Sequence, residues 1–177
     1  MANVTIYEEH REILDALITS GKVASIAGAT KTGPFKEMRD AYVYAVSIAL
    51  AFNKPTPADK MPSSKKDHTQ IRDSVFLGAC GATEIAIAAV MVMESNHSTI
   101  EQSLAHQLDL ISEQQLAERL ALLDRFAHAG FAWLSKRRAD ESSIRDLMLT
   151  AVDEIECVVS QTTAMEVLHD PMLDMLL

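Results

Sequence analysis

The sequence predicts an all-α fold, a single-domain bundle of about six helices with two nearly all-apolar segments at its centre. Composition is the first reason: 177 residues with 48% hydrophobic and 23% charged side chains describe a globular chain, and 6 Gly, 5 Pro and 5% aromatic residues are too few for a turn-rich β sandwich. The second is spacing, since apolar residues recur at intervals of three and four along several long segments. The third is that helix breakers are concentrated in a few places, which leaves long uninterrupted stretches between them. A chain of this size buries about two thirds of its unfolded surface and needs only one core. Residues 1–171 are read as that one domain, followed by an apolar tail at 172–177.

A short extended entry, Val4-Thr5-Ile6, precedes a helix over Tyr7 to Thr19, where Ile13, Leu14, Leu17 and Ile18 form a stripe and Glu8, Glu9 and Glu12 sit at the positive end. Residues 20 to 33 are rich in Gly, Ser, Thr and Ala and read as a connection. Pro34 suits a first helical position, because its fixed φ and missing N–H cost little there. The predicted helix runs from Pro34 to Phe52. Phe35, Met38, Tyr42, Ala45 and Ile48 mark one face and Val43, Tyr44, Val46 and Leu50 the other, so the helix is central.

Pro55, Pro57 and Pro62 among lysines and serines make residues 53 to 69 the main loop. Ile71 to Leu77 reads as a short helix, Gly78 to Gly81 as a break, and Ala82 to Met93 as a second buried helix, for which a strand is the alternative by periodicity. Ser98 to Leu110 carries a weaker helical pattern. Ser112 with Gln115 then has the form of a capping box opening a helix over Glu113 to Arg137, lined by Leu116, Leu120, Leu123, Ala127, Gly130 and Leu134. Lys136-Arg137-Arg138 match its negative end. Asp140 or Ser143 caps a last long helix with Ile144, Leu147, Met148, Ala151, Ile155, Val158 and Met165 on one face, and His169-Asp170-Pro171 ends it.

The net charge of −9 is unevenly spread: residues 22–72 carry nine Lys/Arg against four Asp/Glu, so a basic middle lies between acidic flanks. Lys31, Lys36, Arg39, Lys54, Lys60, Lys65 and Lys66 are the candidate contacts for phosphate, and DNA is the corresponding partner. A solvated loop, or basic and acidic parts facing each other in the fold, explains the same charges. Interleaved aromatics for base stacking and a helical row of Arg for a major groove are both missing. The apolar runs fall short of the ~20 residues of a membrane span. With no basic leader before an apolar core and two cysteines, Cys80 and Cys157, far apart, the expected setting is cytoplasmic and reducing.

Catalytic patterns fail on order or context. Lys31-Thr32-Gly33 and Ser63-x-x-Lys66 occur in the wrong order for a serine β-lactamase, without Ser-Asp-Asn between them, and Ser63 lies in a polar loop. Gly28 to Gly33 lacks the Gly-Lys-Ser/Thr end that cradles nucleotide phosphates. The six histidines show no zinc-ligand spacing, and His97 and His106 are nine residues apart. His128, one turn after Asp124, reads as half of an intrahelical pair on a solvated face. The expectation is a protein without catalytic residues, metal or cofactor.

Three blocks carry a wider pattern: Gly33-Pro34-Phe35 running into Asp40 to Ala45, Ile71-Arg72-x-x-Val75-Phe76, and Arg125-Phe126-Ala127-His128-Ala129-Gly130-Phe131. In this order and spacing, over residues 4 to 155, the chain resembles the DNA phosphorothioation-associated protein 4 family, small proteins encoded beside bacterial DNA sulfur-modification and restriction genes. Typical members have two glycines where this chain has Ala129-Gly130, and here residues 54–67 are longer and 156–177 extend past the shared part. The resemblance implies an accessory component of an antiphage defence system and supplies no catalytic mechanism. Within the blocks, Asp40 and Arg72 are each led toward a core by apolar neighbours, and an ion pair between them is expected, because a charge buried alone costs several kcal/mol. The expected role is an interaction subunit that docks on a larger defence protein, an ATPase or a nuclease, through the tail and loop 53–69; a DNA binder using the basic middle is the second reading and a small enzyme of unknown class the third. Met172, Leu173, Met175 and Leu176 of the tail are its docking residues; packing within the monomer or a homo-oligomer accounts for the tail equally well.

Overall fold

The computed structural model describes residues 3–19, 33–63, 68–78, 80–82, 85–86, 89 and 113–168, with side chains of the last two helices described over 117–161. The predicted helix Ser98–Leu110, Lys31, Lys65, Lys66 and the tail residues Met172, Leu173, Met175 and Leu176 lie outside these residues. The described part is mostly helical, with one small sheet: strand β1 (Asn3–Ile6), a 3₁₀ turn (Glu8–His10), α1 (Arg11–Leu17), α2 (Met38–Ala51), a second 3₁₀ turn (Ala58–Lys60), β2 (Thr69–Arg72), α3 (Asp73–Phe76), α4 (Glu113–Arg138) and α5 (Ile144–Leu168). The fold is therefore not purely α. Among the described residues there are five α-helices rather than six.

The extended entry forms as expected, and its partner is the correction. β1 pairs antiparallel with β2, Val4 opposite Ile71 and Asn3 opposite Arg72, so Ile71 and Arg72 are strand rather than helix, and α3 begins only at Asp73. Val4, Thr5 and Ile6 are all buried, and burying their backbone requires hydrogen-bond partners that a helix at 71–72 would withhold. The strand register also removes the expected Asp40–Arg72 pair. Ile71 points inward and Arg72, next along, is exposed, while Asp40 is half-buried in the first turn of α2. Among the described residues no ion pair joins them.

Pro34 does not open a helix. Phe35 N–H donates to Leu17 O (3.0 Å) and Thr19 N–H donates to Phe35 O (2.7 Å), a bridge that holds residues 33–35 extended against the end of α1. Gly33 permits this close pass, since a Cβ there would lie 2.5 Å from the Ile18 nitrogen. α2 starts instead at Met38 and ends in a Schellman arrangement: Asn53 takes a φ of 50°, its N–H meets Leu50 O (2.9 Å), and Lys54 N–H reaches Ala49 O (3.1 Å). Its position is central, with Ala41, Tyr42, Ala45, Val46, Ile48 and Ala49 buried and Val43, Tyr44 and Leu50 half-buried, though Met38 stays exposed. The break at Gly78–Gly81 is present, with Gly81 at φ +77° and Ile85 N–H donating to Gly81 O to begin a helical segment.

α4 is the hub. It packs most extensively on α2 and also meets β1, α1 and α5. Leu120, Leu123, Phe126, Ala127, Phe131 and Leu134 supply its buried face. At Gly130 the two central helices come so close that a Cβ would overlap the carbonyl oxygen of Ala45. Ser143 caps α5: its Oγ accepts from Asp146 N–H (3.1 Å) and donates to Asp146 Oδ2 (2.7 Å), while Ser142 Oγ donates to the same oxygen (2.6 Å). No helix among the described residues is long and apolar enough to cross a membrane.

Gly130→Ala is expected to lower stability by about 3 kcal/mol in urea titration, because the obstacle is backbone that cannot rotate away. Bonds from Ser142 and Ser143 hold the Asp146 carboxyl below its ordinary 3.8. A depressed acid contributes stability that is present above the ordinary value and lost as pH falls below it. Thermal melts of Asp146→Asn should therefore lie below those of the parent at neutral pH and converge with them in acid.

Candidate functional site

Around the turn that follows β1, three histidines from distant segments gather near Tyr7. Tyr7 is buried, with its ring edge-on to His68 (centroids 4.7 Å) and to His128 (5.5 Å). His10, at the end of the first 3₁₀ turn, is buried between His128 (4.7 Å) and the ring of Phe131 (5.5 Å, nearly parallel). His68 Nδ1 accepts the backbone N–H of Glu8 (3.2 Å), which ties the segment before β2 to the same turn. The geometry follows from β1: pairing with β2 on one edge and packing on α4 with the other side brings the following turn across α4.

Glu9 closes the group. Its Oε1 lies 2.6 Å from His128 Nε2 and 3.5 Å from His10 Nε2. One ligand-type atom from each of Glu9, His10 and His128 falls within 4.8 Å of the others. Both Nε2 atoms are buried, and neither has a hydrogen bond of ordinary geometry despite the short ion-pair distances. His128 Nδ1 is 3.0 Å from Thr56 Oγ1, and Thr56 is clamped to α4 by its N–H to Arg125 O (3.1 Å) and by Arg125 Nε donating to Thr56 O (2.8 Å). The environment keeps His10 neutral: burial first, then the neighbouring His128, lower its pKa to about 4, with Glu9 acting the other way.

Beneath this group a buried carboxylate joins three elements. Asp124 Oδ1 accepts Thr5 N–H (2.7 Å) and Tyr42 O–H (2.8 Å), so one side chain of α4 serves the free edge of β1 and a side chain of α2. Burial and then the Asp124 charge raise the Tyr42 pKa well above 10, which keeps the phenol a donor. Asp124 and His128 thus differ from the expected pair on a solvated face. Asp124 is 7% exposed, and the ring nitrogens of His128 turn to Thr56 and Glu9.

The other candidate residues are scattered. Lys36, Lys54 and Lys60 are exposed, but Arg39 is engaged by Glu37 (2.9 Å) and by Val75 O (3.1 Å), which makes it a brace between α2 and α3. Lys54 borders a cavity of about 290 Å³ with Ile48, Phe52, Ala129, Trp133 and Glu154. Glu154 is held by Arg137 (2.5 Å), whose guanidinium lies 5.8 Å from the centre of the Trp133 ring. Along α5, Leu149, Val152 and Val159 are about half exposed and lie on one side of the helix, with exposed Glu156 among them and Asp153 at the edge. Comparison with protein-family models, with curated proteins and with solved structures finds no match.

The His10–His128–Glu9 group escapes sequence reading because its members come from two elements far apart in the chain, whereas ligand-spacing rules detect only ligands close in sequence. The adjacent Glu9-His10 pair is the one local signal, and alone it is unspecific.

Asp124→Ala leaves two buried donors unpaired and should cost about 3 kcal/mol in urea unfolding, against about 1 kcal/mol for Tyr42→Phe. In the Asp124→Ala background Tyr42→Phe should cost almost nothing; an undiminished cost there would mean that the two side chains are not coupled.

Proposed function

We propose that the protein is a non-catalytic accessory subunit of a bacterial antiphage defence assembly linked to DNA phosphorothioation modification or restriction, and that it docks on a larger protein of that assembly. The observation that carries this reading is the row of exposed apolar side chains on α5, Leu149, Val152 and Val159. Large aliphatic groups aligned on one side of a helix favour burial against another surface. Glu156 within the row and Asp153 at its edge suit a partner surface that sets basic residues beside apolar ones. The three sequence blocks and their resemblance to the phosphorothioation-associated proteins supply the genetic setting.

Two further features are consistent with a binding role. The apolar residues Met172, Leu173, Met175 and Leu176 follow α5 in the sequence and extend the same chemistry. Of the basic positions read as phosphate contacts, Arg39 is committed to Glu37 and Val75. DNA contact through Lys36, Lys54 and Lys60 is the alternative, and it makes a different prediction.

Expression of the tagged protein with its native gene neighbours should recover one partner protein in stoichiometric amount, in high salt and after nuclease treatment. The pair Leu149→Glu and Val152→Glu should abolish that recovery with the circular dichroism spectrum and melting temperature nearly unchanged, since exposed substitutions cost within about 0.5 kcal/mol. Recovery of nucleic acid alone, lost as salt rises, would overturn the proposal in favour of the lysines. A parent dimer that the same substitutions turn into a monomer would assign the α5 face to self-association instead.

A further inference from the structure

We propose that Glu9, His10 and His128 form a binding site for a divalent transition metal ion of the zinc or cobalt type, with at least one coordination position left to solvent. Two imidazoles and one carboxylate converge, one donor atom from each within 4.8 Å of the others. Borderline divalent ions take this donor set, with metal–nitrogen distances of about 2.0–2.1 Å and tetrahedral ligand atoms therefore about 3.3 Å apart. The 3.5 Å between Glu9 Oε1 and His10 Nε2 matches that spacing. The 2.6 Å to His128 Nε2 is an ion-pair distance that opens by a small rotation of Glu9, whose side chain is 54% exposed.

Three features distinguish the group from a surface ion pair. Both Nε2 atoms are buried without a hydrogen bond of ordinary geometry, a costly arrangement for two polar atoms that a metal ion resolves at once. The His128 ring is oriented from behind, where Thr56 Oγ1 sits at Nδ1 and is itself fixed by two hydrogen bonds to Arg125. With the hydroxyl accepting from Nδ1–H, a role it can take because it both donates and accepts, the Nε2 lone pair is left for the metal. His10 is buried, His128 is 12% exposed and Glu9 faces solvent, so an ion has an approach path and an outward position for water or an acidic group of a partner. A metal bound there cross-links the turn after β1 to α4.

The test uses the full-length protein, stripped with chelator and titrated with Zn²⁺ by calorimetry and with Co²⁺ by visible absorption. One equivalent should bind, the Co²⁺ bands should lack a thiolate charge-transfer component, and Zn²⁺ should raise the melting temperature. Glu9→Gln, an exposed change that does not threaten folding, and His128→Gln should each weaken binding by roughly 100-fold or more, and Thr56→Val by roughly tenfold through the ring orientation alone. Absence of stoichiometric binding by the parent protein would overturn the proposal. Equal affinity in parent and Glu9→Gln would do so too, by placing the metal elsewhere in the chain.

Discussion

Everything in the described structure is arranged about the contact between α2 and α4, where Gly130 lies directly on the backbone of Ala45. Two helices this close exchange van der Waals contacts along their backbones, and side chains flanking the contact, Tyr42 and Phe126 among them, are forced into the remaining space on either side. The requirement is steric and absolute at one position, while its neighbours tolerate more. Ala129, next to it, is half-buried and fits with its methyl group.

The close crossing also sets where polarity is allowed in the core. With α2 and α4 pressed together, Tyr42 and Asp124 fall within hydrogen-bond range, and the same carboxylate oxygen receives Thr5 of β1. A two-stranded sheet is weak by itself, because one edge of each strand lacks a partner. Here a side chain from a helix occupies part of that edge. Dry packing thus positions a charge, and the charge secures the strand, whose following turn carries Glu9 and His10 toward His128.

What could be read in the sequence divides along the same lines. α4 and α5 were legible to within a few residues, since apolar spacing, the Ser143 cap and the terminal basic cluster are all local signals. Val4-Thr5-Ile6 was legible as extended for the same reason. Ile71-Arg72 was not, because its short apolar run fits a helix until the buried edge of β1 demands backbone partners. Pro34 misled in a similar way: its local chemistry suits a helix start, but Phe35 is taken by the backbone of Leu17 and Thr19. The apolar neighbours of Asp40 and Arg72 suggest a pair, whereas strand alternation turns Arg72 outward. The histidine group depends entirely on tertiary contact between the first turn and α4.

The hydrogen bond from Thr5 to Asp124 spans 119 residues, so on the ribosome β1 must wait for a partner made long after it. Until α4 has left the exit tunnel, Val4 and Ile6 have β2 to pair with and α3 beside them but lack their main cover. Loop-closure cost and delayed contact of this kind slow folding and lengthen the exposure of apolar strand residues to water or to chaperones. Final closure of the domain is thus a late event in its synthesis. A nascent chain halted before residue 124 has made the beginning of its core without the part that seals it.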